Sequence, residues 1–275
     1  MNDDLLMNIQ TYSDLHAWEI GEELLTPLFL TEKLKPQKVA TFGEVTAKHG
    51  FAVESLVDCK PYWGTTATMR VAGTKREIFE DFNWKRNRVA KSQGMVTFPS
   101  NNMKGTRLSG GLFFEAKFKR DIDWIRLFKT SCQVVSSYAG VLHVVTQHDR
   151  PKRIDRTLRE LTDQEEITEA AWSRFAGGSF FCEFRAGELN SLVSGLTNLG
   201  WASWFGGELA KEVDEAAISD AGFPIEKVGD SYLIQVTESI DDVINDFPMF
   251  SRRRMELKSL FRNDLFLIKD EPVLL

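Results

Sequence analysis

The side chains able to act as nucleophiles, bases or metal ligands are few in this sequence and poorly grouped. Its four histidines are His16, His49, His143 and His148, and none falls in an H-E-x-x-H or related metal-binding pattern. His143 and His148 are five residues apart. On a strand that spacing sends them to opposite faces, so a shared metal would require a bend between them. Each histidine is therefore expected at the core edge or the surface. Cys59, Cys132 and Cys182 stand far apart, with no C-x-x-C pair and no histidine beside them. That speaks against a zinc knuckle, a disulfide framework and a thiolate nucleophile, and it suits a reducing cytoplasm. No G-x-S-x-G elbow presents a serine, and no G-x-x-x-x-G-K-[ST] or G-x-G-x-x-G loop cradles a phosphate. Gly206 and Gly207 open a predicted helix whose N–H groups could receive an anion, but Glu208 and Glu212 in its first turns oppose one and complement the helix dipole instead. Asp241, Asp242 and Asp246 could serve acid–base or metal chemistry. At a helix start, three acids read first as a solvated N-terminus. No catalytic residue, metal or cofactor is assigned, and the chain is expected not to be an enzyme.

Charge is the stronger signal. The 275 residues carry 34 Lys and Arg against 40 Asp and Glu, a net charge of −6, which argues against a general nucleic-acid binder. The imbalance is uneven along the chain. Between Lys60 and Thr130 there are 15 basic and 6 acidic side chains, whereas between Trp204 and Phe250 there are 2 basic and 11 acidic. Either the two regions neutralise each other or the acidic one faces a basic partner. Aromatic residues are abundant, with 7 Trp and 20 Phe, and most must fill a core. Trp201, Trp204 and Phe205 lie just before Glu208, Glu212, Asp214 and Glu215, so apolar anchors and negative charge adjoin, as they do in protein interfaces. The competing reading is that these rings close the core where two elements meet. Lys85, Arg86, Arg88 and Lys91 around Trp84 suggest an RNA-stacking surface more weakly, given the overall charge.

Positioning these residues falls to short alternating strands and amphipathic helices. Alternation predicts strands at 39–47, 65–71, 112–118, 141–146, 180–184 and 232–236. Ile122, Ile125, Phe128, Cys132 and Val135 predict a helix capped by Asp121, and Leu189, Leu192, Val193 and Leu196 another, stopped at Gly200. Further helices are expected at 207–221 and at 248–262, the latter opened by Pro248, whose missing N–H costs nothing in a first turn. The polar stretch 149–166 is expected to be a solvated helix through Ile154, Leu158 and Leu161. Strands come early and in pairs and helices follow, so the fold is expected to be α+β, with mostly antiparallel sheet and helices packed on one face. The chain is read as one unit, with subdomains at 1–150 and 151–275 and two related halves as an open alternative. The segments 130–148 and 189–207 lack charge but carry too many polar residues to span a membrane. Two acids at the start of the chain stand where a secretory signal would be basic, so no export signal is expected.

Trp201-Ala-Ser-Trp-Phe-Gly-Gly-Glu-Leu, then Gly222-Phe-Pro-Ile, Tyr232-Leu-Ile-Gln-Val-Thr and a closing Phe-rich basic helix are similar to the C-terminal half of bacterial immunity proteins of the Immunity protein 52 family. The helix with Trp124 leading into Tyr138-Ala-Gly-Val-Leu-His resembles the same group. About half of the chain is covered, and residues 1–60 match nothing. The resemblance implies a small cytoplasmic α+β protein that binds a cognate secreted toxin, often a nuclease delivered by type VI secretion or contact-dependent systems, and blocks it without catalysis. A nuclease must hold a phosphate backbone on basic surface. The expected contacts are therefore Trp201, Trp204, Glu208, Glu212, Asp214, Glu215, Asp241 and Asp242, with no direct nucleic acid or membrane partner and self-association left open. The alternatives are a hydrolase built on carboxylates such as Glu238 and Asp241, or a module binding a small ligand.

Overall fold

The computed structural model describes residues 4–71, 73–102, 105–149, 162–176 and 195–271. It is α+β, with antiparallel strand pairing. The described residues form two compact units, one drawn from 9–138 and the other from 4–8 together with residues from 139 onward. Strand β1 (Asp4–Thr11) is therefore divided between them.

The first unit continues with helix α1 (Trp18–Leu30), β2 (Lys38–Thr41), β3 (Phe51–Ala52), a 3-10 helix (Leu56–Tyr62), β4 (Thr66–Val71), β5 (Thr74–Phe79), β6 (Phe82–Arg86), β7 (Ser92–Thr97), β8 (Ser100–Asn101), β9 (Arg107–Leu108), β10 (Gly110–Lys117) and helix α2 (Trp124–Val134). Its main sheet runs β3-β2-β6-β7-β10. Strand β7 alternates buried and outer residues, as does β10 from Leu112 on, whereas β6 is buried at every position but Lys85, and the inner face is aromatic. Trp63, Phe82, Trp84, Phe114 and Trp124 follow one another with ring centroids 5.1, 6.1, 6.1 and 6.3 Å apart. Rings at that spacing add directional contacts to the large apolar area that each removes from water. The indole of Trp84 occupies the space over Gly94, where a Cβ would stand 2.1 Å from the ring. Glycine is required there by close approach, since Trp84 and Gly94 are register partners on β6 and β7.

Helix α2 buries Trp124, Leu127, Phe128 and Cys132; of the expected stripe Phe128 and Cys132 lie on this face, Ile125 is half-buried, and Ile122 and Val135 are buried just beyond the helix ends, while the cap also differs from expectation. Asp123 accepts the N–H of Arg126, while Asp121 pairs with Lys33. The chain still turns at Asp121 and Ile122, so the carboxylate that meets the free amides is two residues later. Helix α1, with no counterpart in the sequence reading, packs on α2 and on the 3-10 helix, and its buried residues are Gly21, Leu24, Leu25 and Leu28.

The second unit comprises β11 (Ala139–Val145), α3 (Asp163–Ala176), β12 (Ala202–Phe205), a 3-10 helix (Gly207–Glu212), α4 (Glu215–Asp220), β13 (Ile225–Val228), β14 (Ser231–Gln235), α5 (Asp242–Asn245) and α6 (Phe247–Lys258). Its strands run β11-β12-β14-β13. Every residue of β11 and of β12 is buried. Strand β12 has a partner on each side, and a central strand covered on both faces reads as a continuous apolar run. Pro248 lies in the first turn of α6, whose cap is Asp246. The single helix expected at 207–221 is two pieces, broken at Val213. Leu196 is not helical; it bridges to Phe266. The expected strand 180–184, the expected helix residues Leu189, Leu192 and Val193, the residues Ile154, Leu158 and Leu161, and Cys182 lie outside the described residues. Among the described residues no helix is long and apolar enough to cross a membrane.

Candidate functional site: a sealed charge network and an exposed acidic face

Trp201 and Trp204, expected as surface anchors, are core residues, each 3% exposed. The indole of Trp201 donates to the carbonyl of Thr237 at 3.0 Å, and Trp204 lies within the fully buried β12. The reason is topological: a strand hydrogen-bonded on both sides and covered above and below has no ring to offer a partner. Trp84 is likewise buried at 1% exposure, and the guanidinium of Arg86 donates to the carbonyls of Lys35 and Val89. The stretch 84–91 is thus not an aromatic platform for RNA.

The acidic residues do reach the surface, though several serve the fold. Glu208 is exposed and takes Lys211 at 2.7 Å. Glu212 is half-buried and accepts from Arg262 at 3.0 Å. Asp214 caps α4 through the N–H of Ala217, and Glu215 is exposed in the first turn of that helix. Asp241 and Asp242 are partly covered at the start of α5, and Glu238 is exposed. The structure therefore brings Glu208, Glu212, Asp214 and Glu215 onto neighbouring turns, and removes the two tryptophans from among them.

A second constellation was missed at the sequence level. On α6 the buried stripe reads Phe247, Phe250, Ser251, Arg254, Leu257 and Lys258, so two cations point into the core. Arg254 is fully buried, within 5.9 Å of the ring centroids of Trp172, Phe175, Phe247 and Phe250. Its guanidinium meets Glu271 at 2.6 Å and Asp149 at 3.5 Å. Lys258 donates to Glu271 at 2.7 Å and to the carbonyl of Ile268 at 3.0 Å. Asp149 also accepts the N–H and hydroxyl of Thr146, and faces the imidazole of His143 at 3.2 Å. The N–H of Trp201 donates to Nδ1 of His143 at 3.1 Å, leaving Nε2 on the side of Asp149. The signal was present in the sequence as Arg254 and Lys258 at helical spacing from Phe247 and Phe250.

Two cations and two carboxylates balance within this cluster. Burial alone would raise the carboxyl of Asp149, but His143 and Arg254 hold it down to about 2. Burial likewise opposes the charge of Glu271, yet Arg254 and Lys258 keep its carboxyl below the ordinary range. For Lys258 burial prevails over the attraction of Glu271 and lowers the ammonium to about 8. A histidine, an aspartate and an arginine in contact resemble the parts of a catalytic site. Here His143 and Asp149 are 2% and 0% exposed, and the gap beside them, lined by Leu6, Val141, Val145 and Phe175, has no room for a water molecule. Both side chains are closed off from solvent, and the cluster pins α6 to the turn after β11 and to the segment carrying Glu271. Among the described residues no group of His, Cys, Asp and Glu could hold a metal ion.

No protein-family model matches the chain, and no curated protein does. Among solved structures the chain is similar to the T6SS protein PA0821 of Pseudomonas aeruginosa, with a TM-score of 0.56 and 11% identity over 96% of this chain and 77% of that one. At that identity the likeness is one of fold.

Proposed function

We propose that this chain binds and neutralises a cognate antibacterial toxin of a type VI secretion or polymorphic toxin system, and that it does so by occlusion, with no chemistry of its own. The observation that carries the reading is a fold shared, over 96% of the chain, with a T6SS protein. The exposed acids support it. Glu208 and Glu215 stand where they can meet the Lys and Arg with which a nuclease toxin holds phosphate. An interface of standard size covers about 800 Å² per partner, enough to close an active-site cleft. The tryptophans expected to anchor it are in the core, so affinity must come from other apolar side chains.

The test is co-expression with the reading frame adjacent to this gene, scoring growth and co-purification. The chain is expected to restore growth and to co-purify. Glu208→Lys with Glu215→Lys is then expected to weaken binding, more so at low salt, because exposed charges mainly set the encounter rate. These two are preferred to Glu212 and Asp214, whose reversal would also break the Arg262 pair and the α4 cap. Toxin binding that survives the double reversal at every salt concentration overturns the acidic-face contact, and a neighbouring toxin that kills the co-expressing cell overturns the function.

A further inference from the structure

Strands β4 and β5, six residues each, form a sheet of their own. Their register places Thr66 opposite Phe79, Thr68 opposite Glu77 and Arg70 opposite Lys75, all on one face; Ala67 opposite Ile78 and Met69 opposite Arg76 share the other. An isolated two-stranded ribbon is marginal in water, and this one is exposed on both faces from Thr68 to Glu77 wherever it is described. Its base is fastened. Thr65 and Glu80 are joined through backbone and side chain, and Phe79 stacks on His16, with centroids 3.4 Å apart, beside Phe98. The tip is not. Arg70 and Lys75 face each other there, and among the described residues neither they nor Arg76 meet an acidic partner.

Lysine or arginine on an edge strand often serves only to prevent aggregation. Like charges directly opposite each other, however, destabilise a ribbon that has little stability to spare. A single cation would guard the edge without that cost. We infer that the β4–β5 ribbon is a docking arm whose tip, Arg70 and Lys75, seats on a carboxylate cluster of a partner protein, with Met69, Ile78 and Arg76 packing at its other face. Charge complementarity selects the partner: three cations against the single acid Glu77. One observation favours protein over nucleic acid: Arg and Met, here beside a half-buried Ile, are residues that protein interfaces enrich. That the partner is the toxin rests on the function proposed above; the acidic nature of the surface it touches does not.

The experiment uses the full chain and two probes. A ten-residue glutamate peptide and a ten-nucleotide single-stranded DNA are each titrated at low salt, with amide hydrogen exchange followed at residues 66–79. Protection by the peptide, lost in Arg70→Glu with Lys75→Glu while the melting temperature holds, is the expected result. No protection, or protection by DNA equal to or greater than that by the peptide, overturns the proposal. In the co-expression assay the same double variant is expected to lower toxin affinity on the order of 100-fold, and Met69→Ser to lower it less. If the unaltered chain binds the toxin and the double variant binds it equally, the arm is refuted while the toxin reading stands. If the unaltered chain fails to bind the toxin but the peptide still protects the arm, the toxin reading falls and the arm remains.

Discussion

Arg254 shows how much one side chain can carry. Its planar fork reaches Glu271 and Asp149 together, and four aromatic rings cover it. Removing one partner from a buried charge group leaves the others uncompensated, so Arg254→Ala is expected to cost about 3 to 5 kcal/mol in urea unfolding. Arg254→Lys should recover only part of this, because an ammonium has no second branch for the other carboxylate. The pH dependence follows from the same cluster. The folded carboxyl of Asp149 titrates near 2, below its ordinary value of 3.8, so between those values the unfolded chain binds more protons. The stability it contributes is fully present above the upper value and is lost as the pH falls through the lower. For Lys258 the folded value near 8 lies below the ordinary 10.5, so in that window the unfolded chain again binds more protons and stability rises with pH. Denaturation midpoints between pH 8 and 9 should show the rise, before the buried thiol of Cys59, held protonated in the folded chain, begins to offset it, and Lys258→Met should abolish it. Burial also pushes the Cys59 thiol up to about 12, so alkylation of the peptide containing it, read by mass spectrometry at pH 8, should await unfolding.

Among the elements, α2 and the β6–β7–β10 face depend on a few local choices. Asp123→Ala removes the cap that satisfies the Arg126 amide and is expected to cost about 1 kcal/mol, whereas Asp121→Ala should leave the helix intact because Asp121 serves only a surface pair with Lys33. Gly94→Ala would drive a methyl into the Trp84 ring and should cost about 1 to 3 kcal/mol. Gly111→Ala is expected to be worse, since its Cβ would stand 1.9 Å from the carbonyl oxygen of Ile9, and backbone yields less readily than a side chain. Thermal melts of the four variants rank these expectations.

For the whole molecule, charge is apportioned by function of the region. Among the described residues, carboxylates and ammonium groups that enter the core are matched there, while Glu208 and Glu215 in one unit and Arg70, Lys75 and Arg76 in the other remain at the surface. Net charge governs association more than fold. On the function proposed above, raising salt from low to physiological strength is expected to slow association with the toxin by about tenfold while shifting the melting temperature little, a contrast that stopped-flow binding and calorimetry would show together.

The α+β class, the strands at 66–71, 110–117, 139–145 and 231–235 and the helix opened by Pro248 were legible as pattern, because alternation and helical spacing are properties of neighbours along the chain. So was the uneven charge, which is a count. The positions of Trp201 and Trp204 were not, since a tryptophan before a run of acids looks the same whether its strand ends up central or at an edge, and only pairing with β11 and β14 made it central. The Asp149–Arg254–Glu271 cluster was equally hidden: Asp149 lies more than a hundred residues from both Arg254 and Glu271 in the chain, and a buried ion pair exists only once the fold has excluded water from around both charges.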